Sequence, residues 1–328
     1  MKILLFGDGP WATKSLHSLS QAGHNLVGTV LRKNPTDPEL IEATKDLGLQ
    51  SFQPPNVNNA DFIAQVINLQ PDLNLSVSYD QILQHPILES APMGFINFHA
   101  GKLPYYRGRN VINWAIINGE TEIGLTGHYI DEGIDTGDII LQKTLPISWT
   151  DTYGDVLRRV IDEFPSLVME TVTLLESGKA KRIHQANLPC TYFSKREAGD
   201  EWLDWTDNSL KLYNKIRAIT RPAPGARTLL DNKVVTIWRA FYGPTWPSYI
   251  ATPGQIVGRN PGEGVLVKTG DSVILIQEVQ LEGEDCIIPN WKIGKRLGLN
   301  LLQYLHQLEK RVSELEKYTQ QTSSITNY

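Results

Sequence analysis

Two polar side chains, Asn97 and His99, close a short apolar run, Phe95-Ile-Asn-Phe-His99. An acidic loop follows later, Asp131-Glu-Gly-Ile-Asp135-Thr-Gly-Asp138, and its glycines let the backbone turn tightly enough to aim a carboxylate inward. These three residue types suit acyl transfer to an amine. A neutral His can take the proton of an attacking amine, an Asn amide can donate to the oxygen that turns negative in a tetrahedral intermediate, and a carboxylate can hold the imidazole in one tautomer. No Ser or Cys nucleophile is needed if the acceptor is itself the nucleophile. Each residue alone has a plainer explanation: a His satisfying a structural bond at a strand end, an Asn capping a turn, an Asp closing an Asx-turn. Only the combination points to chemistry.

The order Asn97-x-His99, Leu103-Pro104-x-x-Arg107-Gly108 and Asp135-Thr136-Gly137-Asp138 resembles the 10-formyltetrahydrofolate-dependent formyltransferase family. The resemblance implies catalytic roles for Asn97, His99 and Asp135, with 10-formyltetrahydrofolate consumed as the formyl donor. It further implies a folate pocket near Ser78, Tyr79 and Leu88, continued by Asp131, Ile134 and Asp138 of the acidic loop. One departure is local: many members carry Pro-Ser or Ala-Ser after the His, and this chain has Ala100-Gly101. The loop Tyr105-Tyr-Arg107-Gly-Arg109 supplies candidate acceptor contacts in Tyr105, Arg107 and Arg109. Arg binds phosphate or carboxylate in bidentate fashion, and a solvated surface is the competing reading for both arginines.

Within the family, Asn113-Trp114, Asn118 to Glu122, Trp202-Leu-Asp204-Trp205 and Arg217-Ala-x-x-x-Pro-x-Pro-Gly-Ala226 look similar to the nucleotide-sugar N-formyltransferases. The implied acceptor is the primary amine of a nucleotide-linked amino sugar. The alternatives are a methionyl-tRNA formyltransferase, a formyltetrahydrofolate hydrolase and a non-enzymatic folate-binding module. Short spacing and balancing acids in Arg32 to Glu39, where tRNA-acting members carry a longer basic insertion, speak against a nucleic-acid partner.

The elements that must position these residues read as an α/β, doubly wound, Rossmann-like domain. Lys2 to Gly7 is a buried strand, Trp11 to Ala22 a returning helix, and Asn25 to Leu31 a second strand. Gly7-x-Gly9 lacks the third glycine of a dinucleotide fingerprint, so the glycines are assigned to the turn. A helix near Ala60 to Leu69, a strand at Asp72 to Tyr79 and a short helix over Asp80 to Glu89 precede the Phe95 strand. The chemistry then sits at the carboxyl ends of the strands, where open α/β sheets bind ligands. Asn110 to Asn118 reads as a helix capped by Asn110 and stopped at Gly119. The strands Gly124 to Ile130 and Asp138 to Leu145 flank the Asp135 loop. The helix over Thr152 to Glu176 is expected to kink or break at Pro165.

The whole chain divides into a formyltransferase domain at 1–205, a linker helix at 206–226, an OB-like β-barrel at 227–298, a helix at 299–318 and a disordered tail at 319–328. Short strands with period 2 (Lys233 to Trp238, Gly254 to Gly258, Gly264 to Lys268, Ser272 to Val279) carry the barrel reading. In the tail, Leu301, Leu305, Leu308, Val312 and Leu315 step by the 4 and 3 spacing of an a/d seam, giving either a homodimer or a helix packed on its own barrel.

The 328 residues, 41% of them hydrophobic, suffice for such a core, and no run approaches a membrane span. The two cysteines, Cys190 and Cys286, have no metal-type spacing and fit a reducing, cytoplasmic setting. A net charge of −5 gives no basic surplus of the kind nucleic-acid binding usually shows. The expected partner is a small-molecule amine.

Overall fold

The computed structural model describes residues 1–33, 37–185, 189–298 and 301–325. The chain forms two compact units, Met1–Asp200 with Arg217–Ala223, and Glu201–Ile216 with Pro224–Tyr328. The first carries β1 (Lys2–Gly7), α1 (Gly9–Gln21), β2 (Asn25–Leu31), α2 (Pro38–Asp46), β3 (Ser51–Phe52), α3 (Ala60–Leu69), β4 (Leu73–Val77) and α4 (His85–Leu88). It continues through β5 (Phe95–His99), β6 (Arg107–Gly108), α5 (Val111–Ile117), β7 (Glu122–Tyr129), β8 (Ile139–Pro146), α6 (Tyr153–Glu176) and β9 (Tyr192–Phe193).

Seven strands make one sheet in the order β3-β2-β1-β4-β5-β7-β8. The first five are parallel, and β7 and β8 run antiparallel to their neighbours. Ile3, Leu4, Leu5 and Phe6 of β1 are completely buried, as a central strand covered on both faces requires. Each such side chain is worth roughly 1.5–3 kcal/mol relative to exposure. The strand order reverses between β1 and β4, and the loops after these strands and β5 open at the same sheet edge.

The helix ends follow local chemistry. Thr152 and Asp155 form a reciprocal capping box at the start of α6. Gly119, at φ 75°, takes the left-handed conformation that stops α5. Several expectations change. Pro165 lies inside α6 without ending it. α4 is a single turn of four residues rather than a helix over Asp80 to Glu89. Asn110 makes no side-chain cap for α5; its Oδ1 instead accepts from the Arg196 N–H at 3.0 Å. Part of the expected loop over Arg32 to Glu39 lies outside the described residues, at 34–36.

α7 (Ser209–Ile219) lies where a linker helix was expected, but its final turn groups with the first unit. The second unit is an antiparallel sheet of β10 (Ala226–Leu230), β11 (Lys233–Phe241), β12 (Ile256–Asn260), β13 (Gly264–Lys268), β14 (Val273–Leu281) and β15 (Cys286–Ile287). Its order is β10-β11-β14-β13-β12, with β15 on β14. Single bridges from Leu297 to Leu230 and from Arg296 to Gln255 tie the two ends of that row together. β10 was not among the expected strands: its first residue, Ala226, fell at the end of the expected linker and the rest at the start of the expected barrel. The chain ends in α8 (Leu301–Ile325), so 319–325 is helical rather than disordered, and 326–328 lie outside the described residues. Among the described residues no helix is long and apolar enough to cross a membrane.

Candidate active site

The period-2 geometry of β5 puts Asn97 and His99 on one face of the sheet, at the strand's carboxyl end. Asp135 approaches them from the loop between β7 and β8. Asp135 sits at φ 54°, a conformation that Asp and Asn tolerate better than other non-Gly residues. Two glycines make the approach possible. A Cβ on Gly137 would lie 1.9 Å from the Tyr129 carbonyl oxygen, and one on Gly108, at φ 98°, would lie 2.1 Å from that of Phe193. Gly108 uses this close packing to donate its N–H to Asp135 Oδ2 at 2.8 Å.

The three expected residues meet. Asn97 Nδ2 donates to Asp135 Oδ1 at 3.4 Å, and Asp135 Oδ2 lies 3.7 Å from His99 Nδ1. The other ring nitrogen, His99 Nε2, is 2.6 Å from the Tyr106 carbonyl oxygen. A carbonyl only accepts, so Nε2 carries a proton and Nδ1 is the nitrogen that exchanges one. The tautomer is therefore fixed by the Tyr106 backbone, where the carboxylate had been expected to fix it.

A fourth side chain joins them. His128 on β7 stands opposite Asn97 in the β5–β7 register and is 2% exposed. Its Nδ1 donates to the Tyr129 carbonyl at 2.7 Å, which leaves Nε2 to accept from Asn97 Nδ2 at 3.1 Å, 3.6 Å from Asp135 Oδ1. Both hydrogens of the Asn97 amide thus have acceptors. Burial alone would raise the Asp135 pKa, but the nearby imidazoles of His99 and His128 and the Gly108 N–H outweigh it, holding the carboxyl well below the usual range. Gln185, also buried, steadies the loop by donating to the carbonyls of Asp135 (3.1 Å) and Gly137 (2.6 Å). Sequence reasoning missed both residues. A polar His inside the apolar strand just before the acidic loop was the available signal for His128; none marked Gln185, which comes from a distant segment.

The four side chains open onto a cavity of about 750 Å³ within the first unit, inside the range of small-molecule sites. Ser78, Tyr79, Asp131 and Ile134, the residues expected near folate, line it, and so does Arg109, expected at the acceptor, together with Trp11, Arg32, Phe98, Ile112 and Ile130. Burial foremost, with the Asp80 charge, pushes the Tyr79 phenol up despite Arg32, so it stays a neutral hydrogen-bonding group. The Asp131 carboxylate closes its own turn through Gly133 N–H and Thr136 Oγ1.

The other expected site residues lie elsewhere. Leu88 packs against the apolar core beneath the sheet. Asp138 pairs outside the cavity with His184 at 2.8 Å and Arg182 at 3.6 Å. Arg107 points into the protein, where Nη2 donates to Gln185 Oε1 at 2.8 Å, and so braces the Asp135 loop. Tyr105 lines a separate pocket of about 550 Å³ with Tyr106, Glu120 and Phe193.

The motifs that suggested a sugar acceptor have structural roles here. Asn113 Nδ2 donates to the Ala218 carbonyl at 2.6 Å, Trp205 Nε1 to Thr228 Oγ1 at 2.8 Å, and Arg217 Nη1 to the Asp151 carbonyl at 2.9 Å. Two of these bonds end on backbone carbonyls and the third joins two buried side chains, so all three serve the packing of the chain itself.

Comparison with known proteins bears on the same point. The family model "Formyl transferase" matches residues 1–172, and "Formyl transferase, C-terminal domain" matches 195–294. The methionyl-tRNA formyltransferase of Symbiobacterium thermophilum is 38% identical over 296 residues, covering 87% of this chain and 89% of the relative. That of Pelotomaculum thermopropionicum is 36% identical over 293 residues, covering 86% and 92%. Among solved structures, the sugar 3N-formyl transferase WlaRD superposes with a TM-score of 0.65 at 23% identity over 84% of this chain and 97% of its own. HypX from Aquifex aeolicus in complex with tetrahydrofolic acid gives 0.59 at 18% identity, over 89% and 50%. Identities this low speak for the fold alone.

The expected nucleotide-sugar acceptor, and with it the expected lack of a nucleic-acid partner, is therefore overturned: the relatives that match nearly end to end at 30–38% identity are methionyl-tRNA formyltransferases. By both family models and these relatives, the chain belongs to the formyl transferase family and is a folate-using, formyl-transferring enzyme.

Proposed function

We propose that this protein is a methionyl-tRNA formyltransferase, moving the formyl group of 10-formyltetrahydrofolate to the α-amine of methionine on its tRNA. The observation that carries this reading is the near-full-length match to relatives of that activity at up to 38% identity. The 750 Å³ cavity suits the folate: it joins apolar walls to the polar edge formed by Asn97, His99 and Asp135. Folate bound there supplies the formyl carbon.

The chain's own residues do the rest. His99 Nδ1 accepts the proton of the attacking amine while Nε2 stays on the Tyr106 carbonyl. Ionised Asp135, 3.7 Å away, stabilises the imidazolium that results. Asn97 donates to the oxygen that becomes negative, and as the bond between the formyl carbon and the folate nitrogen breaks, the His99 imidazolium returns its proton to that departing nitrogen. Of the two hydrogen bonds of Asn97, the 3.4 Å bond to Asp135 is the longer and the easier to exchange for the substrate oxygen, while the bond to His128 keeps the amide in place.

The test is mass spectrometry of methionyl initiator tRNA incubated with 10-formyltetrahydrofolate and the enzyme. The reading predicts one added formyl group, with a rate that falls as salt rises, because tRNA association is electrostatic. Release of formate with the tRNA unchanged would reject it.

A further inference from the structure

Over its described side chains the last helix leaves its apolar seam exposed. Every described side chain from 304 to 317 is exposed, including Leu305 at 47%, Leu308 at 42%, Val312 at 53% and Leu315 at 59%. The alternative of a helix packed on its own barrel does not hold over this stretch. A single exposed helix is marginal in water, since most helical stability in proteins comes from packing an apolar face. The C-terminal family model ends at residue 294, so α8 lies outside the matched domain.

We propose that α8 pairs with α8 of a second copy as a parallel two-stranded coiled coil. Leu305 and Val312 fall at a positions and Leu308 and Leu315 at d. A β-branched a residue with Leu at d favours two parallel strands. The charges point the same way. Arg311 occupies a g position and Glu316 the following e position, so a parallel pair sets each Arg311 against Glu316 of the other copy, twice by symmetry. The antiparallel arrangement that aligns the same seam brings Arg311 against Arg311 and Glu309 against Glu309. Lys310 and Lys317 lie at f, facing solvent in either case.

Sedimentation equilibrium of the full-length protein over a wide concentration range tests the pairing. The expected result is a reversible dimer. Leu308→Lys with Val312→Lys should abolish it while formyl transfer per chain is retained. Arg311→Glu or Glu316→Arg should each raise the dissociation constant by roughly tenfold, two attractive pairs becoming repulsive, and the two together should restore it. With Cys190 and Cys286 replaced by Ser, Leu308→Cys should oxidise to a covalent dimer, because d faces d only in the parallel pair. A monomer at the highest concentration, a dimer indifferent to the two lysines, or failure of the charge swap or the 308 disulfide would overturn the proposal.

Discussion

Replacing Asp135 by Asn tests how the site works while leaving its shape alone. Asn keeps the side-chain volume and tolerates the φ of 54° that most residues would resist. The main loss is a negative charge 3.7 Å from His99 Nδ1, where the proton arrives, and with it one of the two acceptor positions now facing the Gly108 N–H and Asn97 Nδ2. At an effective dielectric of ~20, a charge pair at that distance is worth about 4 kcal/mol, equivalent to roughly three orders of magnitude in rate. The Asn dipole recovers part of this, so the chemical step should slow by about 10²- to 10³-fold. Rapid-quench single-turnover kinetics measure that step directly, and folate titration by intrinsic fluorescence reports the ground state separately. Folate affinity should change little. A slowing below about tenfold, with folate binding intact, would refute the idea that ionised Asp135 stabilises a protonated His99.

Further perturbations follow from the same geometry. Because Asp135 is held below its unfolded pKa, its charge contributes stability that is present above about pH 4 and lost as pH falls through the folded value. The unfolding free-energy gap between wild type and Asp135→Asn should therefore shrink as pH falls below about 4, as chemical denaturation at each pH will check. His128→Phe removes the acceptor that holds Asn97 and should lower kcat by roughly tenfold with little change in the KM for folate; a changed KM with normal kcat would argue for a binding role instead. Gln185→Ala cuts two bonds to the Asp135 loop and strands Arg107, which should cost about 1–3 kcal/mol in thermal unfolding. Gly108→Ala forces a Cβ toward the Phe193 carbonyl and should depress activity more than stability, since the same backbone N–H holds Asp135.

The parts of this molecule readable from sequence were those with local causes. β1, β2, β5 and α6 announce themselves by uninterrupted apolar runs or a 3.6-residue stripe, and the Asn97, His99 and Asp135 spacing placed three groups that meet within 3.7 Å. Pairings between distant segments were not readable. β6 is two residues long and exists only because β9 comes alongside it. Gln185 and His128 matter only once the β5–β7 register and the later loop have formed. Arg107 looked like a substrate contact, since Arg in a glycine-rich loop usually faces solvent, but a buried glutamine redirects it inward. The acceptor was misjudged for a related reason: Asn113, Trp205 and Arg217 were taken as marks of specificity, and the structure ties Asn113 and Arg217 to backbone carbonyls and Trp205 to the Thr228 hydroxyl.

The most direct measurement is single-turnover transfer of labelled formyl from 10-formyltetrahydrofolate to methionyl initiator tRNA by wild type, Asn97→Ala and His99→Ala. The account predicts labelled formyl-methionyl-tRNA from the wild type and a loss of at least roughly a hundredfold in each variant, with folate still bound. Label transferred to another amine but never to the tRNA, or near-normal transfer by either variant, would contradict it.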